Sequence, residues 1–252
     1  MTDPRDFYDA LGPDYHLMFE DWNASVRRQG GIIHPLLGGD SLRVLDAACG
    51  MGTQALGLAQ QGHTVVARDL SPILVQRATA EAERQGLTLA ASVGDMRLSM
   101  PADHSAFDAV IAFDNALPHL ESDTDLLAAL ATIRLALRPE GRFLASIRDY
   151  DRIMGRRPSY DPPRRLGSGE DERVVLQLWN WDQDGRGYQL QHIILVPDGQ
   201  GGWQSRTRKG HYRALLRQEL ERAATKVGFG DLKWIEPEAS GFYQPIFIAI
   251  RP

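Results

Sequence analysis

Short apolar runs alternate with amphipathic stretches between residues 42 and 150. The apolar runs lie at residues 43–48, 64–70, 107–113 and 141–147, and helical periodicity fills residues 53–61, 71–85 and 122–137. A Gly-Asp pair at 94–95 marks the end of a further strand. Ser71 and Pro72 mark a helix start, because serine caps a helix and proline suits its first position. Strands that alternate with helices indicate βαβ units, so the pattern predicts a parallel sheet covered by helices.

The pattern changes after Tyr150. Residues 151–172 are rich in Pro, Arg and Gly and are expected to form a loop. Three alternating or aromatic runs follow at 173–181, 187–196 and 203–212, separated by turn residues, which indicates an antiparallel sheet inserted at this point. The chain then returns to a helix at 213–227 and to strands near 231–235 and at 245–251.

The amino-terminal segment has a third character. Residues 7–22 carry five aromatic side chains, and a helical pattern runs from Trp22 to Leu37. We interpret residues 1–40 as a cap. The predicted fold class is therefore α/β, a doubly wound, Rossmann-like seven-stranded sheet with an inserted antiparallel β-sheet and an N-terminal helical cap. We expect a single domain, with a core of residues 41–150 and 213–252 and an inserted subdomain of residues 151–212.

Composition and charge exclude several classes of partner. The 252 residues carry a net charge of -5, which argues against nucleic acid because phosphate binding needs a basic surface. No apolar run is long enough for a membrane span and the first residues do not resemble a signal peptide, so we expect a cytoplasmic protein with no membrane partner. Cys49 is the only cysteine, which excludes an internal disulfide and a cysteine-rich metal site. We expect a packing role for Cys49, no metal, and a small molecule as the partner.

A motif at residues 45–52, LDAACGMG, carries candidate chemistry. Asp46 ends an apolar strand, and Gly50 and Gly52 form a tight turn that opens a helix. Glycine there permits positive φ and lets a ligand approach the backbone. A dinucleotide site is the competing interpretation, but Asp46 would repel a pyrophosphate and Ala55 stands where that fingerprint has its third glycine. The carboxylate suits a ligand that carries an amino group.

Further polar residues follow the other predicted strands. Asp69 ends the second strand, where a carboxylate can accept hydrogen bonds from both ribose hydroxyls. Asp95 and Met96 close the third strand, where an acid can accept from an adenine amino group. Residues 113–120, FDNALPHL, follow the fourth strand. Each acid alone is more often a cap or a turn residue, but in this order they predict a nucleoside site at the carboxyl edge of the sheet.

These motifs resemble those of the class I S-adenosylmethionine-dependent methyltransferases, and within them the glycine/sarcosine N-methyltransferase group. Three stretches carry the narrower resemblance: the aromatic amino-terminal segment with Tyr15, LDAACGMG, and IRDYD at residues 147–151. The resemblance implies S-adenosylmethionine as cofactor and S-adenosylhomocysteine as product. It also implies that the inserted sheet covers the substrate.

The resemblance implies roles for individual residues. The loop from Ala48 to Gly52 would meet the methionine end of the cofactor, with Arg28 as a basic partner. Asp69 would bind the ribose. The predicted cofactor-binding residues are Tyr15, Trp22, Arg28, Asp46, Ala48, Gly50, Gly52, Asp69, Leu70, Asp95, Met96, Phe113 and Asp114. In this set Asp95 and Met96 would face the adenine, and the last two would form the floor near the sulfonium.

The resemblance departs at position 149, where the group's Arg-Asn-Tyr-Asp motif has asparagine and this chain has Asp149. A carboxylate there could hold an ammonium or take the proton of an attacking amine, which favours an amine-bearing acceptor other than glycine. Alternatively, Asp149 caps the turn before Arg152. Methyl transfer needs alignment more than acid chemistry, so a modest base suffices. The candidate catalytic residues are Asp149, Tyr150 and His119, of which His119 can equally be a cap or a packed loop residue.

Two sets of aromatic residues are candidate pocket walls. On the cap, Tyr8, Tyr15, Phe19 and Trp22 could shield a sulfonium by cation–π contact or serve as hydrophobic cover. On the inserted runs, Trp179, Trp181, His192, Trp203 and Tyr212 could line a substrate pocket. Because side chains alternate between the two faces of a sheet, about half of these should pack on the core instead.

Three functional hypotheses follow. The first is N-methylation of a small amine by in-line displacement. The second is O- or C-methylation of a natural-product intermediate on the same fold, and the third is a non-catalytic S-adenosylmethionine-binding protein. The partner would be a small-molecule methyl acceptor. Oligomers occur in the family that the chain resembles, but no segment of the sequence predicts an interface.

Overall fold

A computed structural model describes residues 3–98 and 104–252. The helices in these ranges are α1 (Pro4–Leu11), α2 (Trp22–Ile33), α3 (Thr53–Gln60), α4 (Pro72–Arg84), α5 (Asp123–Ala136), α6 (Tyr150–Arg156), α7 (Arg217–Lys226) and α8 (Pro237–Ser240). The strands are β1 (Arg43–Asp46), β2 (Thr64–Asp69), β3 (Ala90–Val93), β4 (Phe107–Ala112), β5 (Leu137–Ser146), β6 (Tyr160–Leu166), β7 (Arg173–Trp181), β8 (Gly187–Pro197), β9 (Trp203–Arg213), β10 (Gly230–Ile235) and β11 (Ile246–Ile250). None of the described helices combines the length and the apolar character that a membrane crossing needs.

Seven strands form the main sheet in the order β10-β11-β5-β4-β1-β2-β3. All run parallel except β11, which is antiparallel to both of its neighbours, β5 and β10. Val110 belongs to a buried cluster with side chains of α5 and α7, and Val44 belongs to a second cluster with side chains of α3. Helices therefore cover both faces, and the predicted doubly wound α/β fold with seven strands is confirmed.

A second, four-stranded antiparallel sheet has the order β6-β7-β8-β9. The three runs predicted for this sheet coincide with β7, β8 and β9 to within one residue. The prediction of a loop over residues 151–172 is wrong, because this segment contains α6 and the edge strand β6. Pro162 and Pro163 fall between the residues of β6 at which the pairing register shifts. An irregular edge strand can accept prolines, since their missing N–H groups need not enter the ladder.

The amino-terminal segment packs across both sheets. Helix α1 contacts β9 and α4, and α2 contacts α3. The helix predicted to run from Trp22 to Leu37 ends at Ile33, and residues 34–36 form a 3-10 turn. Pro35 explains the difference, because proline cannot donate the backbone hydrogen bond that an α-helix requires.

Arginines of the inserted sheet bind residues 12–20 of the cap through hydrogen bonds and an ion pair. The Arg173 guanidinium donates to the carbonyl oxygens of Leu17 at 2.8 Å and Phe19 at 2.5 Å. Asp14, which is almost fully buried, pairs with Arg206 at 2.5 Å. The two bonds from Arg173 satisfy carbonyl groups that no helix or sheet pairs. Together with the Asp14–Arg206 pair, they hold the aromatic residues of the cap over the carboxyl edge of the main sheet.

Candidate active site at the carboxyl edge of the sheet

The turn from β1 to α3 depends on two glycines. Gly50 and Gly52 have φ values of 53° and 94°, in the left-handed region. A Cβ added at Gly52 would lie 3.2 Å from the Cβ of Ala78. A side chain there would therefore meet both backbone strain and a close contact, which explains why the turn uses glycine.

A cavity of about 590 Å³ lies at the carboxyl ends of β1, β2, β3 and β4, the edge at which open α/β sheets bind ligands. We call it the edge cavity. Ten of the predicted cofactor-binding and catalytic residues line it: Tyr15, Ala48, Gly50, Asp69, Leu70, Asp95, Met96, Phe113, Asp114 and His119. Side chains that the sequence did not single out for this cavity include Gln54 and Arg97. The fold thus brings segments that are far apart in the chain to one site.

Four predicted cofactor-binding residues do not line the edge cavity. Asp46 is buried beneath the loop, and Gly52 is packed against α4 at the start of α3. Trp22 donates its indole N–H to the hydroxyl of Thr53 at 2.9 Å, which fixes α2 against α3. Arg28 lines a neighbouring cavity described below. The first three support the wall of the edge cavity without forming its surface.

Three carboxyl groups lie close together at this edge. Asp46 and Asp69 are buried and Asp114 is partly buried. Burial raises the pKa of all three, and for Asp46, where the charges of the other two add to the effect, the pKa rises to about 8. Asp46 Oδ2 has no hydrogen-bond partner among the described residues. A positively charged ligand would stabilise the ionised form of this group.

Asp69 also organises the loop. Its Oδ2 accepts from the backbone N–H of Gly50 at 2.8 Å, and its Oδ1 accepts from that of Ser71 at 2.9 Å. These bonds join the end of β2 to the glycine turn after β1. Each carboxylate oxygen keeps a second acceptor position, so Asp69 can still accept hydrogen bonds from hydroxyl groups of a ligand in the edge cavity.

Asp95 has a charged partner that the sequence analysis missed. Arg97 Nη2 lies 2.7 Å from Asp95 Oδ2, and Arg97 Nη1 lies 2.8 Å from Asp125 Oδ1. Although burial alone would raise the pKa of Asp95, the hydrogen bonds from Arg97 lower it. Asp95 is therefore held ionised at the cavity wall. The only indication of this pair in the sequence is Arg97 itself, two positions after Asp95. An arginine at such a position is ordinarily an exposed side chain without a special role.

A second cavity, of about 1190 Å³, lies between the cap and the inserted sheet. We call it the cap cavity. Tyr8, Tyr15 and Asp114 line both cavities, so the two spaces share a wall. Of the five aromatic candidates on the inserted runs, Trp179, His192 and Tyr212 line the cap cavity. The other two do not: Trp181 donates its indole N–H to the Pro158 carbonyl at 2.9 Å, and Trp203 is largely exposed.

Asp149 lines the cap cavity as the N-cap of α6. Its Oδ1 accepts from the backbone N–H of Arg152 at 3.3 Å. Its Oδ2 lies 3.2 Å from Arg152 Nε and 3.4 Å from Arg217 Nη2. The carboxylate therefore performs the capping role that the sequence left open as an alternative. Two guanidinium groups already compensate its charge.

Tyr150 lines neither cavity, and its side chain is completely buried. Its hydroxyl accepts from Asn115 Nδ2 at 2.9 Å and lies 2.8 Å from the hydroxyl of Tyr188. Burial raises the pKa of Tyr150 to about 12. The proposal of Tyr150 as a catalytic base is therefore corrected, since a base must reach the proton that it removes. Tyr150 instead fixes Asn115 at the end of β4.

His119 lines the edge cavity, and its Nε2 lies 2.9 Å from the hydroxyl of Tyr8. Burial lowers the pKa of His119 to about 4. The imidazole is thus neutral near pH 7 and can accept the hydrogen bond of the Tyr8 hydroxyl. His119 thereby orients a tyrosine on the wall shared by the two cavities. No group of three or more His, Cys, Asp or Glu side chains in the described ranges is arranged to hold a metal ion.

Part of the chain is similar in sequence to known methyltransferases. Residues 44–141 match the family model of a methyltransferase domain. The glycine/sarcosine N-methyltransferase of Parasynechococcus marenigrum is 35% identical over 135 residues, which is 53% of this chain and 48% of that protein. The chain thus spans about half the length of this curated relative.

Solved structures extend the similarity of fold to most of the chain. An S-adenosylmethionine-dependent methyltransferase from Clostridium acetobutylicum has a TM-score of 0.72 at 15% identity, over 89% of this chain and 91% of that one. An amino pentose methyltransferase from Micromonospora echinaspora has a TM-score of 0.70 at 21% identity, over 95% of each chain. Residues 44–141 thus match a methyltransferase domain, and the chain as a whole has the fold of these S-adenosylmethionine-dependent methyltransferase structures.

Proposed function

We propose that the protein transfers a methyl group from S-adenosylmethionine to the amine of a small molecule. The observation that carries this proposal is a group of three carboxyl groups at a cavity that shares a wall with a larger one: Asp69 and Asp114 line the cavity, and Asp46 is buried beneath its loop. A cofactor with a sulfonium and an ammonium group fits the first space by charge. The second space is available for the methyl acceptor.

The residues of the edge cavity fit the cofactor chemically. S-adenosylmethionine, when bound, supplies a methyl group on a positively charged sulfur and leaves as S-adenosylhomocysteine. Asp69 would accept hydrogen bonds from the ribose, and Asp46, buried beneath the cavity, would balance nearby positive charge once the cofactor favours its ionised form. Asp95 and Met96 would hold the adenine. Arg28, in the cap cavity near Asp114, would meet the carboxylate of the methionine end.

Alignment is the main catalytic task of the shared wall. Tyr8, Tyr15 and Asp114 border both spaces and would hold the acceptor nitrogen in line with the transferred methyl group. Correct positioning of two reactants contributes roughly 7–11 kcal/mol. The backbone of Asp114 is fixed, because its N–H donates to the hydroxyl of Ser146 at 2.9 Å. Gln54 and Tyr243 both donate to its carboxylate and fix its direction.

An amine acceptor is favoured by charge and by the names of relatives. A carboxylate on the shared wall attracts an ammonium group from solution and accepts a hydrogen bond from the free amine. The similar curated protein is named for the N-methylation of glycine and sarcosine, and a similar structure is that of an amino pentose methyltransferase. Because the amine must attack without its proton, the rate should rise with pH until the acceptor is deprotonated.

Calorimetry and label transfer test this function. S-adenosylhomocysteine should bind to the purified protein, and radiolabelled methyl groups should pass to at least one amine in a panel of primary and secondary amines. Absence of binding would contradict the cofactor assignment. Binding combined with label transfer to a phenol or a hydroxyl group, and to no amine, would instead support O-methylation.

A further inference from the structure

One wall of the cap cavity is built from side chains that carry unpaired hydrogen-bond donors. Gln177 and Trp179 lie on β7, and His192 lies on β8 directly opposite Gln177. Side chains two positions apart on a strand, and those directly opposite on a neighbouring strand, share a face of the sheet. All three side chains line the cap cavity. We call this set the donor wall.

A chain of hydrogen bonds fixes the direction of each donor. Arg148 Nη2 donates to Gln177 Oε1 at 2.8 Å, because a guanidinium has no acceptor. The amide nitrogen of Gln177 therefore donates to His192 Nδ1, 3.1 Å away. In a neutral imidazole the proton then lies on Nε2. Burial lowers the pKa of His192 to about 3, in agreement with the neutral form.

Two donors of this wall have no partner. His192 Nε2 and Trp179 Nε1 are buried and form no hydrogen bond with any residue in the described ranges. A buried donor left without an acceptor costs about 1–3 kcal/mol. The Arg148 guanidinium, which lies 4.5 Å from the centre of the Trp179 ring, adds further donors and no acceptor. Oxygen atoms of a ligand packed directly against this wall would satisfy these groups.

We propose that the donor wall binds an oxygen-bearing part of the methyl acceptor, with Trp179 and His192 as specificity-determining residues. This inference rests on the proposed function. The acceptor is then an amine with hydroxyl, carbonyl or carboxylate oxygens placed across the cavity from its nitrogen. The cap cavity, at about 1190 Å³, exceeds the roughly 300–1,000 Å³ of sites that hold drug-sized ligands, so it offers room for an acceptor much larger than glycine or sarcosine.

Single-group variants isolate the two donors. Trp179→Phe removes the indole N–H and keeps an aromatic ring beneath Arg148. Trp181→Phe is the matched control, because it removes an indole N–H on the same strand that is already paired with Pro158. His192→Leu removes the imidazole donor, and His192→Gln restores a side-chain N–H.

The assay compares glucosamine, an amine rich in oxygen, with cyclohexylamine, which has none. For glucosamine, Trp179→Phe and His192→Leu should each raise KM about tenfold, the equivalent of roughly 1.4 kcal/mol, with kcat changed less than about twofold. His192→Gln should recover part of the loss, and Trp181→Phe should behave as the wild type. KM for cyclohexylamine should stay unchanged in all variants. Comparing variant with wild type for each amine cancels their different basicities.

A binding measurement makes the test independent of turnover. The measurement is an NMR titration of protein loaded with S-adenosylhomocysteine. The indole N–H resonance of Trp179, assigned through the Trp179→Phe variant, should shift when glucosamine is added and should not shift when cyclohexylamine is added. If the Trp179 resonance does not respond to glucosamine, or if the variants raise KM equally for both amines, the proposed role of the donor wall is wrong. The proposed function would remain intact. Failure of S-adenosylhomocysteine to bind would instead overturn the proposed function and, with it, the inference.

Discussion

The edge cavity and the cap cavity share a wall, but they are built in different ways. The edge cavity is lined mainly by residues that directly follow β1, β2, β3 and β4. The cap cavity combines side chains of α1, α2, β7, β8 and the loop before β11. A strand end fixes the position of the next residues at one edge of the sheet. A wall made of separate elements depends on how those elements pack.

The two cavities also differ in chemical character. Carboxylates dominate the electrostatics of the edge cavity, whereas aromatic rings and guanidinium groups line much of the cap cavity. The boundary between them is strained, because Asp114 and Asn115 have φ values of 55° and 66°. Such conformations cost about 1–3 kcal/mol each and persist where the surroundings hold them. If the proposed function holds, charge would select the cofactor, and shape and hydrogen-bond donors would select the acceptor.

We expect the largest effect from a substitution at the crossing of α2 and α3, because it would disturb both cavities at once. Helices α2 and α3 cross where a Cβ on Gly57 would lie 2.5 Å from the carbonyl oxygen of Val26. Gly57→Val should lower the free energy of unfolding by about 3 kcal/mol or more, since the helix backbones must separate. Gly31→Ala on α2 is the control, because its added Cβ meets nothing within 4 Å. Urea unfolding followed by tryptophan fluorescence measures both, and equal effects would contradict the tight crossing.

Asp46→Asn tests the carboxyl group buried beneath the edge cavity. The pKa of Asp46 in the folded protein, about 8, is raised above the ordinary value of 3.8. The folded protein therefore keeps this proton to higher pH than the unfolded chain, and the stability linked to it is lost as pH rises from 3.8 towards 8. Without cofactor, Asp46→Asn should raise the free energy of unfolding by about 2 kcal/mol at roughly pH 8–9 and by much less near pH 5. If the gain in the free energy of unfolding did not depend on pH, it would contradict a raised pKa of Asp46.

Asp69→Asn sharpens the comparison by acting on the edge cavity alone. One amide oxygen cannot replace two carboxylate oxygens that already accept from Gly50 and Ser71. Affinity for S-adenosylhomocysteine should fall about tenfold, or roughly 1.4 kcal/mol. Calorimetry measures the change. An unaltered dissociation constant would remove Asp69 from the cofactor site.

Asp149→Asn should have the smallest effect. Asparagine caps a helix about as well as aspartate, and an ion pair with the exposed Arg152 contributes little. The free energy of unfolding should change by less than about 0.5 kcal/mol, and affinity for S-adenosylhomocysteine should stay constant. A large fall in turnover with unchanged stability would return Asp149 to the role of base or ammonium ligand.

The sequence predicted most of the edge cavity and little of the cap cavity. Strand periodicity located the residues after each strand, so the order of the chain was enough to assign Asp69, Asp95 and Asp114 to one edge of the sheet. Tyr150 could not be excluded as a base in the same way, because its burial depends on Asn115 and Tyr188 from other elements. The strand β6 was missed because its prolines are typical of a loop, and only pairing with β7 makes it a strand.

The sequence by itself determined the α/β order, the glycine turn and the aspartates at the ends of the strands. Each of these follows from short-range periodicity and backbone geometry. Tertiary structure alone decided which of these groups face a cavity. It buried Asp46 beneath the loop, paired Asp95 with Arg97 and left the donors of Trp179 and His192 without partners among the described residues. The physical reason is that solvent exposure and hydrogen-bond partners depend on contacts between segments distant in the chain, which local patterns do not encode.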